Sequence, residues 1–196
     1  ESNMTTALHV AVVTETWAPE VHGVAMTLGR MVQGLLAREH RVSLTRPRQH
    51  AHDVPESSAR LTTTLVRGLP IPGYAGLKFG LPAPRLFHRL WSANRPDVVQ
   101  VVTEGPLGAS AIAAARKLGI PVVSEFHTNF HAYSRHYGFG WLEGLVAAHL
   151  RRLHNRGAMT LVPSHQLGID LVRHGYQRIR VVARGVDTTL FNPTRR

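Results

Sequence analysis

Short apolar runs rich in β-branched residues alternate with segments of helical periodicity along nearly the whole chain. "LHVAVVT" (Leu8–Thr14) has the pattern of a buried strand. A loop with Pro19 and Gly23 follows. "VAMTLGRMVQGLLARE" then sets Val24, Leu28, Met31, Val32, Leu35 and Leu36 at the spacing of one helical face. "HRVSLT" reads as a second strand, residues 46–60 as a polar loop, and "RLTTTLVRGLPIP" as a third strand running into a turn. The helical "APRLFHRLWSANR" stops at the proline of "NRPDVVQVVT", which opens a fourth strand. The alanine-rich "LGASAIAAARKLGI" is a helix closed by Gly119. "PVVSEF" and "AMTLVP" are the fifth and sixth strands. "SHQLGIDLVRHG" is a helix with Ser164 as N-cap and Gly175 past its end, and "IRVVARG" is a seventh strand.

This order predicts an α/β fold, a Rossmann-like and mostly parallel sheet of about seven strands with helices on both faces. Open sheets of this kind bind ligands beyond the carboxyl ends of their strands. Function is therefore sought in residues 14–24, 67–80, 103–108, 126–138, 163–165 and 184–191.

Composition narrows the partners. A chain of 196 residues can bury one full core. It has no cysteine, which excludes disulfides and thiolate zinc sites and suits the cytoplasm. No run approaches the roughly 20 apolar residues of a membrane-spanning helix. The net charge of +11 is made by arginine, since only Lys78 and Lys117 are lysines. Such a surface can meet phosphorylated ligands or anionic lipid, or it can reflect the base composition of a genome. Its basic residues are spread rather than clustered with aromatics, so no nucleic-acid partner is expected.

The loops carry the candidate chemistry. "TETWAPEVHGVAMT" lacks the three-glycine dinucleotide fingerprint and keeps only Gly23 before its helix. That glycine either admits a ligand to the helix start or simply makes a turn. In "TEGPLGAS", Gly105, Pro106 and Gly108 form the first helical turn, with Glu104 at the rim. Glu104 either complements the helix dipole or accepts bonds from ligand hydroxyls. "SEFHTNFHAYSRHYG" holds His127, His131 and His136. His127 and His131 have the spacing of two metal ligands, but no H-E-x-x-H pattern or nearby carboxylate completes a set, so no metal is expected. His127 remains a base, a sugar contact or a structural residue.

Four stretches, in this order and at these strand ends, resemble one family: "PEVHGVAMTL", "FHTNF", "PSHQLGIDL" and "RGVDTTLFNP". The chain resembles, over about residues 8–193, the N-terminal half of the family 4 glycosyltransferases, retaining enzymes of GT-B fold. The forms "TEGPLG", "FHTNFHAYSRHYG" and "RGVDT" resemble the branch that glycosylates lipids, which includes phosphatidylinositol mannosyltransferases and sulfoquinovosyl- or glucosyl-diacylglycerol synthases.

The resemblance implies one half of a two-domain enzyme. Residues 1–185 would form the acceptor-side domain and 186–196 the start of the linker, with the donor-binding domain outside this chain. The co-substrate would be a nucleotide-diphosphate sugar, with no cofactor and no metal. His127 would contact the donor sugar and leaving phosphate as the catalytic residue. His22, Gly23, Glu104, Gly105, Thr128, Asn129, Tyr133, Arg135, Ser164, Arg184 and Asp187 would bind substrate. Many relatives have two glycines where this chain has His22–Gly23. An acceptor lipid or glycan is implied, and an anionic membrane surface at the inner face of the cell membrane. Tyr74, Leu77, Lys78 and Phe79 of "PGYAGLKFG" mix apolar and basic character suited to that surface. "WLEGLVAAHLRRLHNR" sets Leu142, Leu145, Val146, Leu150 and Leu153 along one face, with Arg151, Arg152 and Arg156 near its end; the helix either rests on that surface or packs its stripe on the sheet, the arginines then suiting the helix dipole. The alternative is a non-catalytic Rossmann-type domain that binds a sugar or phosphate.

Overall fold

The computed structural model describes residues 6–17, 23–70, 78–127 and 140–183. In chain order the elements are β1 (His9–Val13), α1 (Gly23–Ala37), β2 (Arg41–Pro47), β3 (Leu61–Val66), β4 (Gly68–Pro70), β5 (Lys78–Gly80) and α2 (Pro84–Ala93). They continue with β6 (Val98–Val101), α3 (Pro106–Lys117), β7 (Val122–Glu125), α4 (Gly140–His154), β8 (Met159–Val162), α5 (His165–Arg173) and β9 (Ile179–Val181). Seven parallel strands form one sheet in the order β3-β2-β1-β6-β7-β8-β9. The chain winds from β1 out to β3, returns to β6, and then winds the other way. The reversal leaves a crevice at the carboxyl ends of β1 and β6.

Strand alternation assigns the two faces. Val10, Val12, Val42 and Leu44 pack under Leu28 and Val32 of α1. Ala11, Val13, Val99, Val101 and Val122 face the other way, against α2, α3 and Leu153 of α4. Phe126 and Val162 continue that second face beneath Leu171 of α5 and Tyr176. Central strands buried on both sides explain why β1 reads as an unbroken apolar run.

Local chemistry ends the helices where expected. Gly119 and Gly175 follow α3 and α5 with φ of +65° and +83°, the left-handed conformation that glycine adopts without strain. Ser164 Oγ caps α5 by accepting the Leu167 N–H.

Three expectations need correction. The turn after the third strand is an antiparallel hairpin, in which Leu69 of β4 pairs with Phe79 of β5. Lys78 and Phe79 are thus strand residues rather than part of an open loop. The polar loop starts later than residue 46, because β2 runs through Arg46 to Pro47. Arg46 is 1% exposed and holds Asp53 with two bonds, of 2.7 and 2.9 Å. Its other two terminal N–H groups reach the Pro47 carbonyl and Glu56, which accepts the Trp17 indole N–H at 2.9 Å. Those partners neutralise a charge that a strand interior could not otherwise tolerate. Finally, the α4 stripe divides along its length. Leu150 and Leu153 are buried, whereas Leu145 and Val146 are 63% and 49% exposed.

Candidate active site

The crevice between β1 and β6 is closed internally by Glu15. Its backbone N–H donates to Thr103 Oγ1 at 2.9 Å, and its carboxylate accepts the Leu107 N–H at 2.9 Å. The acid therefore occupies the free N–H groups at the start of α3, the place where a helix otherwise attracts an external anion. Gly105 makes this possible: a Cβ there would lie 1.7 Å from Glu15 Oε2. Gly105 was expected to approach a substrate, and in the structure its missing side chain admits a carboxylate of the same chain. Burial pushes the Glu15 carboxyl up to about 7, against the backbone bonds that favour its ionised form, with the charge of Glu104 adding to the rise. No feature of "TETW" alone indicates this role. The signal is a pair, an acid after β1 and a glycine after β6, on neighbouring strands.

His127 lies two residues beyond Glu125, on the α1 side of the sheet. Its Nε2 is 2.6 Å from Glu125 Oε2. The other Glu125 oxygen accepts the Gln100 side-chain amide, and that amide also lies 3.0 Å from Met31 Sδ on α1. Glu125 is thus a carboxylate within reach of His127, although among the described residues the pair belongs to no metal-ligand set. Strand alternation puts residues two apart on one face, so E-x-H at a strand end was the readable signal. An ionised carboxylate only accepts, which places the proton on Nε2 and sets the plane of the ring. Both side chains are nearly enclosed, 13% and 15% exposed. The arrangement can hold a hydrogen-bonding imidazole at a fixed angle beside a ligand.

Glu104 goes to the opposite side of the sheet. Its Oε1 is 3.4 Å from the buried His154 Nε2 of α4. His154 Nδ1 bonds Ser124 Oγ at 2.8 Å, and its ring packs 5.2 Å from Phe126 and 5.8 Å from Tyr176. Burial pushes the Tyr176 hydroxyl up to about 12. Glu104 therefore meets a buried imidazole, and its carboxylate does not share the face of His127.

The remaining expected residues separate as follows. Gly23 is the exposed first residue of α1, and Ser164 is the exposed cap of α5. Lys78 Nζ donates to the carbonyl of Gln49 at 2.7 Å and to that of Arg48 at 3.3 Å. Phe79 is half-buried in β5. His22, Tyr74, Leu77, Thr128, Asn129, Tyr133, Arg135, Arg184 and Asp187 lie outside the described residues. Among the described residues, no group of three or more histidine or acidic side chains could hold a metal ion. None of the described helices is long and apolar enough to cross a membrane.

Comparison with known proteins agrees with this layout. The Glycosyltransferase Family 4 profile matches residues 21–190. A GDP-mannose-dependent alpha-mannosyltransferase of Mycolicibacterium smegmatis is 31% identical over 191 residues, which is 96% of this chain and 51% of the relative. Sulfoquinovosyl transferase SQD2 of Arabidopsis thaliana is 31% identical over 144 residues, 71% of this chain and 28% of the relative. The chain spans about half the length of the mannosyltransferases it matches. Among solved structures, sucrose-phosphate synthase from Thermosynechococcus elongatus shares the fold with a TM-score of 0.66 at 12% identity, over 93% of this chain and 49% of that one. A glycosyltransferase from Rickettsia africae does so with a TM-score of 0.58 at 13% identity, over 98% and 47%. In both, the matched part is one half of a larger protein, in keeping with half of a GT-B fold. The chain belongs to Glycosyltransferase Family 4.

Proposed function

We propose that this chain is the acceptor-side half of a retaining glycosyltransferase, which moves a sugar from a nucleotide-diphosphate sugar to an acceptor hydroxyl. The observation that carries this reading is the His127–Glu125 pair at the carboxyl end of β7. It offers an oriented imidazole at the end of the sheet where such folds take ligands. Relatives named for GDP-mannose-dependent mannosyl transfer and sulfoquinovosyl transfer support the reaction class. In transfer with retention, charge grows on the leaving diphosphate and on an oxocarbenium-like sugar carbon. Groups that are already placed stabilise that charge without reorganising. His127 serves as such a group: with its Nε2–H on Glu125, its Nδ1 accepts from a hydroxyl of the donor sugar beside the leaving phosphate. The donor half is the partner domain across the cleft, and no cofactor takes part.

A glycolipid or diacylglycerol is the proposed acceptor, reached by peripheral binding at the inner, cytoplasmic face of an anionic membrane. The charge of +11 and the relative named for sulfoquinovosyl transfer support that choice. The test is a screen of the whole enzyme against nucleotide sugars and lipid acceptors, read by product mass. A glycosylated lipid is expected with at least one donor. Activity that persists undiminished in His127→Ala would overturn the assigned role, since loss of one such contact costs on the order of 10²-fold in turnover.

A further inference from the structure

A cleft of about 350 Å³ opens beside the β4–β5 hairpin, lined by Arg48, His50, Ala51, Leu65, Val66, Arg67, Gly68 and Lys78. Arg48 follows β2 and Arg67 follows β3, so the cleft lies at the same end of the parallel sheet as His127. No carboxylate is among its lining residues.

Its cations are held by neutral groups. Lys78 Nζ is fixed by the carbonyls of Gln49 and Arg48, and Arg48 donates to the Asp53 carbonyl at 2.9 Å. The backbone N–H of Arg48 is tied to the Val66 carbonyl, and the carbonyl of Arg67 accepts from Leu81. Carbonyls position these side chains without cancelling their charge. Asp53, whose carbonyl Arg48 reaches, has its carboxylate occupied by two bonds from Arg46 and one from the Gln49 N–H. The Arg67 side chain has no ion pair among the described residues and is exposed. A site of this composition has fixed positive charge, an apolar floor from Leu65 and Val66, and room for a small group. Arginine forks match the oxygens of phosphate.

We propose that this cleft binds the phosphate dianion of a phosphomonoester, at a place distinct from the acceptor hydroxyl. Its use by the enzyme rests on the transferase reading; the anion site itself does not, and its test involves no sugar transfer. One ligand chemistry has two sources here, a soluble phosphorylated compound or a lipid headgroup. Glycerol 3-phosphate probes the first by calorimetry. Phosphatidylcholine vesicles with and without phosphatidic acid probe the second by co-sedimentation. The proteins are the chain itself, Arg67→Gln, Arg48→Gln/Arg67→Gln, and Arg89→Gln. The last removes the same charge from an exposed position of α2 that is not among the lining residues of the cleft. Thermal melts confirm that each variant is folded.

Loss of one charge-assisted contact should weaken binding about tenfold in Arg67→Gln, and further in the double variant, with Arg89→Gln unchanged. That pattern with glycerol 3-phosphate alone assigns a soluble source. The same pattern with phosphatidic acid vesicles assigns a headgroup. The proposal is overturned if neither probe binds, if Arg67→Gln binds as the parent does, or if Arg89→Gln loses as much. A positive result in an enzyme that transfers no sugar would overturn the transferase reading and leave the site standing.

Discussion

Glu125 Oε2 lies 2.6 Å from His127 Nε2, and the Gln100 amide holds the other oxygen of the same carboxylate. Glu125 is thus the positioning residue for the imidazole. In the whole enzyme, Glu125→Gln should lower kcat about tenfold, the value of one charge-assisted hydrogen bond, and leave KM for the donor nearly unchanged. The ring ¹⁵N shifts of His127 should change with it, because the amide can donate as well as accept and no longer dictates the tautomer. A parallel rise in KM at unchanged kcat would instead mean that Glu125 supports donor binding.

Gly105 and Glu15 form a second linked pair. A Cβ at position 105 would lie within 1.7 Å of the Glu15 carboxylate, although the backbone conformation there suits any residue. Gly105→Ala should therefore be severely destabilising in a parent background and mild in Glu15→Ala. The coupling in a double-mutant cycle of denaturant unfolding should exceed about 1 kcal/mol. Additive effects would show that the two residues do not share this space.

Stability should also depend on the protonation of Glu15. Its folded pKa of about 7 lies above the unfolded value of 4.5. The neutral acid is favoured in the folded state. Its contribution is thus fully present below 4.5 and is lost as pH rises through 7, with a total of about 3 kcal/mol. Glu15→Gln keeps an oxygen for the Leu107 N–H and removes the titration. The Tm of the variant should rise relative to the parent as pH goes from 5 to 8, measured by calorimetry. A gap that does not vary with pH would place the titration elsewhere.

Arg46 and Asp53 define the opposite dependence. Hydrogen bonding by Arg46 holds the Asp53 carboxyl at about 2, below its ordinary 3.8. A depressed acid stabilises above its unfolded pKa, so this contribution should disappear as pH falls from 3.8 to 2, at a cost of about 2 kcal/mol. Asp53→Asn leaves a buried guanidinium poorly compensated and should destabilise by about 3 kcal/mol at pH 7 in urea unfolding. Replacing Arg46 and Asp53 together by Met and Leu should recover most of that loss. No recovery would mean that the pair also shapes the 48–53 loop that carries Arg48 to the cleft.

Elements with local signals are legible in the residues alone. Double-sided burial wrote the parallel strands as apolar runs, and the helices as one-sided stripes between them. The φ required after a helix is met by a single residue, so Gly119 and Gly175 marked their turns, and Ser164 marked its cap. Features that need two distant residues to share a few ångströms appear only once the chain is folded. The β4–β5 hairpin consists of strands of three residues, too short for periodicity to register. Arg46 can stand inside a strand only because Asp53 and Glu56 fold back over it. Glu15 meets the start of α3 only because the sheet sets β1 beside β6, joining residues 92 positions apart in sequence. Polar groups in a core are specified by their partners, and the crossovers of the fold, which no local pattern records, choose those partners.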